Sequence, residues 1–317
     1  MINAVAAGRA LRSACIFIIH QKIPFTIFKT ERSINFMKKY GLLGYPLKHT
    51  MSPPIHKRLF ELEGVSDFSY ELMEIPEETL KTEVDRCLNL DGFNITIPHK
   101  VNIIGYIDEL ADSANRYNSV NCVKNDNGKH IGYNTDCDGF LRSIRAAGGN
   151  ISGNVLQCGC GGVGRMIAIE CIREGARLTV SVPEGFENTV DPVKKYAADN
   201  VFSPDIKVVH PEETASLGSF DTLINASPVG MFPKVDACPV SEETIKKCGF
   251  VFDVIYNPEK TRLLQTAEKS GIPHCGGMAM LVWQAVVAHE IWSGAEYDNT
   301  DIEKLIADMH RAMEKQA

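Results

Sequence analysis

The chain has 317 residues, of which 44% are hydrophobic and 23% charged, with a formal net charge of −7. These proportions belong to a folded protein long enough for two cores and exclude a low-complexity linker. The negative charge, with basic residues clustered no further than pairs such as Lys38-Lys39 and Lys194-Lys195, excludes a nucleic-acid-binding surface of the usual kind.

Residues 1–36 contain an apolar run at 14–19 that is too short to span a bilayer, and no small-residue cleavage pattern follows it. Met37 stands directly before the first strand signal, so 1–36 reads as an N-terminal extension that need not be native. The ten cysteines are scattered without framework spacing, which fits free thiols in a reducing, cytoplasmic setting. Cys158 and Cys160 form a C-x-C without a second Cys/His pair at zinc spacing, so no metal site is expected.

From residue 40 onward, short apolar runs alternate with longer amphipathic ones, the pattern of an α/β protein with parallel strands. Strands are expected at 40–43, 69–75 and 93–97, with helices at 54–63 and 77–88 between them. Asn125-Asp126-Asn127-Gly128 lies between strands expected at 119–124 and 130–133, and marks a hairpin because Asn and Gly accept positive φ. A helix at 138–147 is followed by Gly148-Gly149-Asn150, where a second alternating block begins. That block carries strands at 154–158, 178–182, 206–209, 222–225 and 250–254, with helices at 166–174, 193–198 and 262–270. Its order is Rossmann-like. Two final helices, 279–292 and 302–315, are not needed by the second block and are expected to pack on the first. The expected organisation is a two-domain α/β fold. Residues 37–137, completed by 276–317, form a substrate-binding domain, and 138–275 form a dinucleotide-binding domain.

Gly159-Cys160-Gly161-Gly162-Val163-Gly164 satisfies G-x-G-x-x-G between an expected strand and an expected helix. Its glycines allow a tight turn, close approach of a pyrophosphate and close helix–strand packing, so Gly159, Gly161, Gly162, Val163 and Gly164 are candidate cofactor residues. The base preference stays open. The stretch Ser181-Val182-Pro183-Glu184-Gly185 has no Arg, and Glu184 reads equally as a ribose ligand or a solvated acid.

Three polar segments are poor packing material: Lys48-His49-Thr50-Met51-Ser52-Pro53, Asn94-Ile95-Thr96-Ile97-Pro98-His99-Lys100, and Tyr133-Asn134-Thr135-Asp136. Reduction of a ketone needs a proton donor near the oxygen and a hydride donor on one face. Lys100, expected at the end of the 93–97 strand, is a candidate for the first, and Asp136 for its charge partner. Asp136 also reads as a helix N-cap. Thr50-Met51-Ser52-Pro53 reads as a helix cap with Pro in the first turn, and Gln284 as one polar residue on a core helix.

These segments, in order with Ser119-Val120-Asn121, the glycine loop, Asn225-Ala226-Ser227-Pro228-Val229-Gly230-Met231, Gly276-Gly277-Met278 and Gln284-Ala285, resemble the motifs of the shikimate dehydrogenase family. The resemblance runs from residue 40 nearly to the C-terminus. It implies a Lys100–Asp136 dyad, Thr50 and Ser52 on a substrate carboxylate, and Thr96, Asn121 and Gln284 on ring hydroxyls and carboxylate. Tyr256 matches a tyrosine near the carboxylate, and Ser227 and Gly277 join the cofactor residues. It also implies NADP, a small-molecule substrate, no membrane partner, and a monomer or homodimer. Two departures stand out: Thr50 where the family usually has Ser, and no basic patch after the second Rossmann strand. They keep open an NAD-dependent quinate/shikimate dehydrogenase and, in another class, a catalytically silent dinucleotide-binding regulator.

Overall fold

The computed structural model describes residues 37–48, 50–200 and 205–314. The expectations for 1–36 lie outside the described residues, as does His49 of the first polar segment. The elements run β1 (Lys38–Gly44), α1 (Ser52–Leu62), β2 (Phe68–Glu74), α2 (Leu80–Glu83), α3 (Asp85–Leu88), β3 (Gly92–Ile95), α4 (His99–Asn102), β4 (Glu109–Leu110), α5 (Asp112–Tyr117), β5 (Cys122–Asp126), β6 (Lys129–Tyr133) and α6 (Asp136–Ala146). A second series follows with β7 (Asn154–Cys158), α7 (Gly162–Arg173), β8 (Arg177–Ser181), α8 (Asp191–Asp199), β9 (Ile206–Val209), β10 (Phe220–Asn225), α9 (Glu242–Lys246), β11 (Cys248–Asp253), α10 (Arg262–Lys269), β12 (His274–Cys275), α11 (Gly277–Ser293) and α12 (Asn299–Glu314).

Two six-stranded sheets result, ordered β2-β1-β3-β5-β6-β4 and β12-β11-β10-β7-β8-β9. The second is parallel throughout, as its near-continuous apolar strands require when helices cover both faces. The first is mixed, because β5 and β6 form the expected hairpin, with Asp126 paired to Lys129 across Asn127 and Gly128, both at positive φ.

The C-terminal helices return to the first half. Met51, Ile55 and Leu59 of the α1 region share a buried cluster with Met278, Val282 and Val286 of α11 and Ile302 and Leu305 of α12. Trp292 Nε1–H donates to the Val123 carbonyl at 2.9 Å. A buried His56–His289 pair also ties α1 to α11.

The sequence-based expectation errs in two places of consequence. The single helix at 77–88 is a 3-10 turn followed by α2 and α3, where Thr79 and Thr82 hydroxyls donate to the Pro76 and Thr79 carbonyls and compete with the backbone ladder. The third strand ends at Ile95 rather than residue 97, although the Thr96 N–H still bonds to the Leu43 carbonyl and the Ile97 carbonyl accepts from the Tyr45 N–H; Pro98, without an N–H, cannot carry the ladder further. The chain then turns into α4, so Lys100 stands on a short helix and not at a strand end.

Nine cysteines among the described residues are free. Cys158 is buried, and burial pushes the Cys160 thiol up to about 11. Among the described residues no helix is long and apolar enough to cross a membrane.

Candidate active site

The α4 helix is held at two backbone points. Buried His99 donates from Nε2 to the Ile75 carbonyl at 2.6 Å, and the Lys100 carbonyl accepts from the Val120 N–H at 2.7 Å. The Lys100 side chain thereby reaches Asp136, with Nζ and Oδ2 2.6 Å apart. Their side chains are 26% and 16% exposed, so the pair is partly shielded yet within reach of solvent.

Asp136 is the first residue of α6, not its cap, and a carboxylate there is favoured by the helix dipole. Thr135 holds the cap position but makes no capping bond with its side chain, because its hydroxyl is engaged elsewhere. The Thr135 N–H donates to Asn121 Oδ1 at 2.7 Å, and Asn121 Nδ2 donates to Thr135 Oγ1 at 3.0 Å. The Thr135 hydroxyl lies 3.3 Å from Gln284 Oε1. Asn121 Oδ1, at 3.2 Å, and Gln284 Oε1 are both within reach of the one hydroxyl hydrogen, and Gln284 Nε2 donates to the Leu281 carbonyl at 2.9 Å. All three side chains are buried, and each amide keeps one N–H for another partner.

Gly139 allows this convergence. A Cβ there would stand 2.7 Å from the Met280 carbonyl oxygen and 2.9 Å from the Gln284 backbone nitrogen, so α6 and α11 touch backbone to backbone.

Ser52, the first residue of α1, is buried, and its N–H donates to Thr50 Oγ1 at 3.2 Å. The cap position belongs to Met51, which explains why no side chain caps this helix. Burial raises the pKa of the Tyr70 phenol, which donates to Asn94 Oδ1 at 3.0 Å. Thr96 follows β3, its N–H bonded to the Leu43 carbonyl and its methyl group over Gly44.

The second sheet supplies the glycine loop at the carboxyl end of β7. Gly159 has φ +87°, and a Cβ would meet Ser227 Cβ at 2.8 Å; a Cβ on Gly164 would meet the Gly159 carbonyl oxygen at 2.7 Å. Cβ atoms on Gly161 and Gly162 would meet nothing within 4 Å, and Val163 is the second residue of α7. A tight turn with open space before a helix N-terminus fits a pyrophosphate. Ser227 is fixed by Asn225, whose Oδ1 accepts from the Ser227 N–H and hydroxyl at 3.1 and 2.7 Å. Asn225 Nδ2 in turn donates to buried Asp253, whose pKa burial raises to about 6. Beyond β8, residues 182–190 contain no Lys or Arg, and Glu184 is exposed.

The α11 helix links the two sheets. Gly277 opens it, its N–H bonded to the Ile255 carbonyl at 3.1 Å, and a Cβ there would collide with the Val254 carbonyl oxygen. Gln284 comes seven residues later, roughly 10 Å along a helix, and reaches Thr135 beside Asp136. Tyr256, after β11, packs against the α1–α11–α12 cluster. Through α11, Gln284 and Thr135, the surroundings of the Lys100–Asp136 pair are tied to Gly277 and Ile255 at the end of β11, and open α/β sheets bind their ligands beyond the carboxyl ends of their strands.

The family model described as the shikimate dehydrogenase substrate binding domain matches residues 42–123. A shikimate dehydrogenase (NADP(+)) of Caldanaerobacter subterraneus subsp. tengcongensis is 34% identical over 276 residues, 86% of this chain and 98% of its own. The chain belongs to the shikimate dehydrogenase family. Another relative, the shikimate dehydrogenase (NADP(+)) of Methanococcus maripaludis strain C6, is 36% identical over 288 residues, 85% of this chain and 96% of its own. The Thermus thermophilus shikimate 5-dehydrogenase, solved with NADP(H) and shikimate, has 28% identity and a TM-score of 0.75 over 86% of this chain and 100% of that one. The two-domain architecture of a shikimate dehydrogenase is thus the architecture of this chain.

Reading the sequence missed four contributors to the site. Thr135 and Asn94 stood inside quoted segments without a role. Tyr70 looked like an ordinary strand residue, and Asp253 like a strand end. Tyr70, Asn94 and Asp253 are polar groups on largely apolar strands and Thr135 lies in a polar segment, and in neither setting does local pattern distinguish a site residue from a solvent-facing one.

Proposed function

We propose that the protein catalyses the reversible NADP-dependent reduction of 3-dehydroshikimate to shikimate, a step of the shikimate pathway to chorismate and the aromatic amino acids. The observation that carries this reading is the 2.6 Å Lys100–Asp136 pair, adjoining the Thr135–Gln284 contact made by the helix that springs from the second sheet. Residues 37–137 with 276–317 serve as the substrate-binding domain and 138–275 as the dinucleotide-binding domain.

The nicotinamide, when bound, supplies the hydride. Gly159, Gly161, Gly162, Val163, Gly164, Ser227 and Gly277 form the cofactor's cradle. Lys100 Nζ gives a proton to the carbonyl oxygen as the C–H bond forms, leaving a hydroxyl on the product and a neutral amine that solvent reprotonates. Asp136 holds the ammonium in place and accepts a hydrogen bond from a substrate hydroxyl. Thr50 and Ser52 bind the carboxylate with Tyr256 nearby, and Thr96, Asn121 and Gln284 bind the remaining polar groups through the N–H and hydroxyl positions their neighbours leave open. Buried polar groups of this kind reject ligands that cannot pair them, at about 1–3 kcal/mol for each group left unsatisfied.

Every residue of this site comes from one chain, so both a monomer and a homodimer accommodate it. A cytoplasmic location suits its free thiols. Initial rates with shikimate and with quinate, each with NADP+ and NAD+, test the proposal. Turnover of shikimate with NADP+ above the other three combinations is expected. Preference for quinate with NAD+ would favour the second reading, and no shikimate turnover with either dinucleotide would end the first.

A further inference from the structure

A cluster away from the substrate pocket joins the two halves of the chain. Glu170 lies on α7, the helix that follows the glycine loop, and its side chain is only 5% exposed. Its Oε1 is 2.6 Å from the Tyr117 hydroxyl, 3.2 Å from Arg173 Nε and 3.4 Å from an Arg116 nitrogen. Arg116 and Tyr117 end α5, in the first half. The Tyr117 oxygen is also 3.0 Å from Cys137 Sγ and 3.3 Å from Arg116.

The proton inventory is determinate. Tyr117 has one hydrogen and directs it to the carboxylate at the short distance, so its oxygen accepts from Arg116 and from the Cys137 thiol. Burial pushes that thiol up to about 12, so it retains its hydrogen. Cys137 is the residue after Asp136. One continuous set of bonds therefore runs from the dinucleotide helix, through a buried carboxylate and a phenol, to the backbone neighbour of the acid that pairs with Lys100.

We propose that Glu170 and Tyr117 are positioning residues that lock the proton-transfer pair to the helix bearing the dinucleotide, setting the geometry in which hydride and proton reach one carbonyl. The proposal rests on the functional reading above. Neither residue is among those placed on the substrate or the cofactor above. Their influence is on alignment, and misplacement by about 1 Å lowers a rate by up to ~100-fold. The Arg145–Glu174 pair, 2.7 Å apart, joins α6 to the residue that follows α7 at the exposed surface and supplies an internal control.

The test compares Tyr117→Phe, Glu170→Gln and Arg145→Ala with the wild-type protein in steady-state kinetics, NADPH titration by fluorescence, and thermal melting. The first two variants are expected to lower kcat about 5- to 30-fold while KM for shikimate and Kd for NADPH stay within about twofold. The deuterium isotope effect on kcat, measured with NADPH labelled at its transferable hydrogen, should rise as hydride transfer becomes rate-limiting. Arg145→Ala should match the wild type. Unchanged kcat in Tyr117→Phe and Glu170→Gln overturns the proposal. So does failure of either variant to fold or to bind NADPH, which would make the cluster part of the fold rather than of the reacting geometry. Wild-type turnover in the same assay separates the two claims: an inactive wild type sinks the functional reading and the latch with it, whereas an active wild type with unaffected variants sinks the latch alone.

Discussion

His56 Nδ1 and His289 Nε2 lie 2.9 Å apart in the buried seam between α1 and α11, where one proton arrangement pairs these two nitrogens and leaves His56 Nε2 buried without a partner among the described residues. The Glu63 carboxylate accepts from His289 Nδ1–H, which leaves His289 Nε2 to accept from His56 Nδ1–H. Burial holds both imidazoles below their usual range, assisted at His56 by its histidine neighbour and opposed at His289 by Glu63. Burial pushes Glu63 up, but hydrogen bonds from His289, Tyr297 and Ser293 outweigh it and leave the carboxyl below its usual value. The His56 ring also stacks on Tyr70 at 4.3 Å, so this seam abuts the residues around Ser52.

Acid should loosen the seam. The unfolded chain protonates its histidines near 6.5, while the folded pair resists until lower pH, so stability present at and above about pH 6.5 is lost as pH falls from there. Glu63 acts in the same direction, its contribution being lost as pH falls through its folded value. Urea midpoints recorded from neutral pH downward should decline, and a flat profile would contradict the neutral pair.

Replacing the proton donor should separate chemistry from binding. Lys100→Ala is expected to lower kcat by about 10²- to 10⁴-fold, the range for losing a general acid, while NADPH still binds. Asp136→Asn should fall in the same direction with a rise in KM for shikimate. Normal turnover in Lys100→Ala would remove it from the mechanism.

The Thr135 hydroxyl orients two amides, and its loss should be felt mainly by substrate. Thr135→Val should raise KM for shikimate about 5- to 10-fold, close to the worth of one hydrogen bond, with a smaller change in kcat. Thr135→Ser should restore most of the difference. Equal behaviour of the two variants would show that the hydroxyl does not matter.

Gly139→Ala forces a methyl against the α11 backbone. Overpacking of this kind costs about 1–3 kcal/mol, and here it also displaces Gln284. A lowered Tm together with a raised KM for shikimate is expected; calorimetry and initial rates check the two effects independently.

Sequence determined what is encoded over a few neighbouring residues. The glycine turn after β7, the Asn127-Gly128 turn and the apolar strands of the second sheet follow from local sterics and periodicity and are found as expected to within a few residues, whereas α7 starts at Gly162, inside the glycine motif, and not at 166. Short elements such as β4, β12 and α9 escaped because two to five residues carry too little periodicity to register. Tertiary structure alone decided that α4, rather than a strand end, presents Lys100, that Thr135 engages Asn121 and Gln284 instead of capping α6, and that Glu170 meets Tyr117. The reason is physical: these contacts join residues 36, 149 and 53 positions apart, and such meetings are set by how helices and sheets close-pack, not by the spacing of residues along the chain.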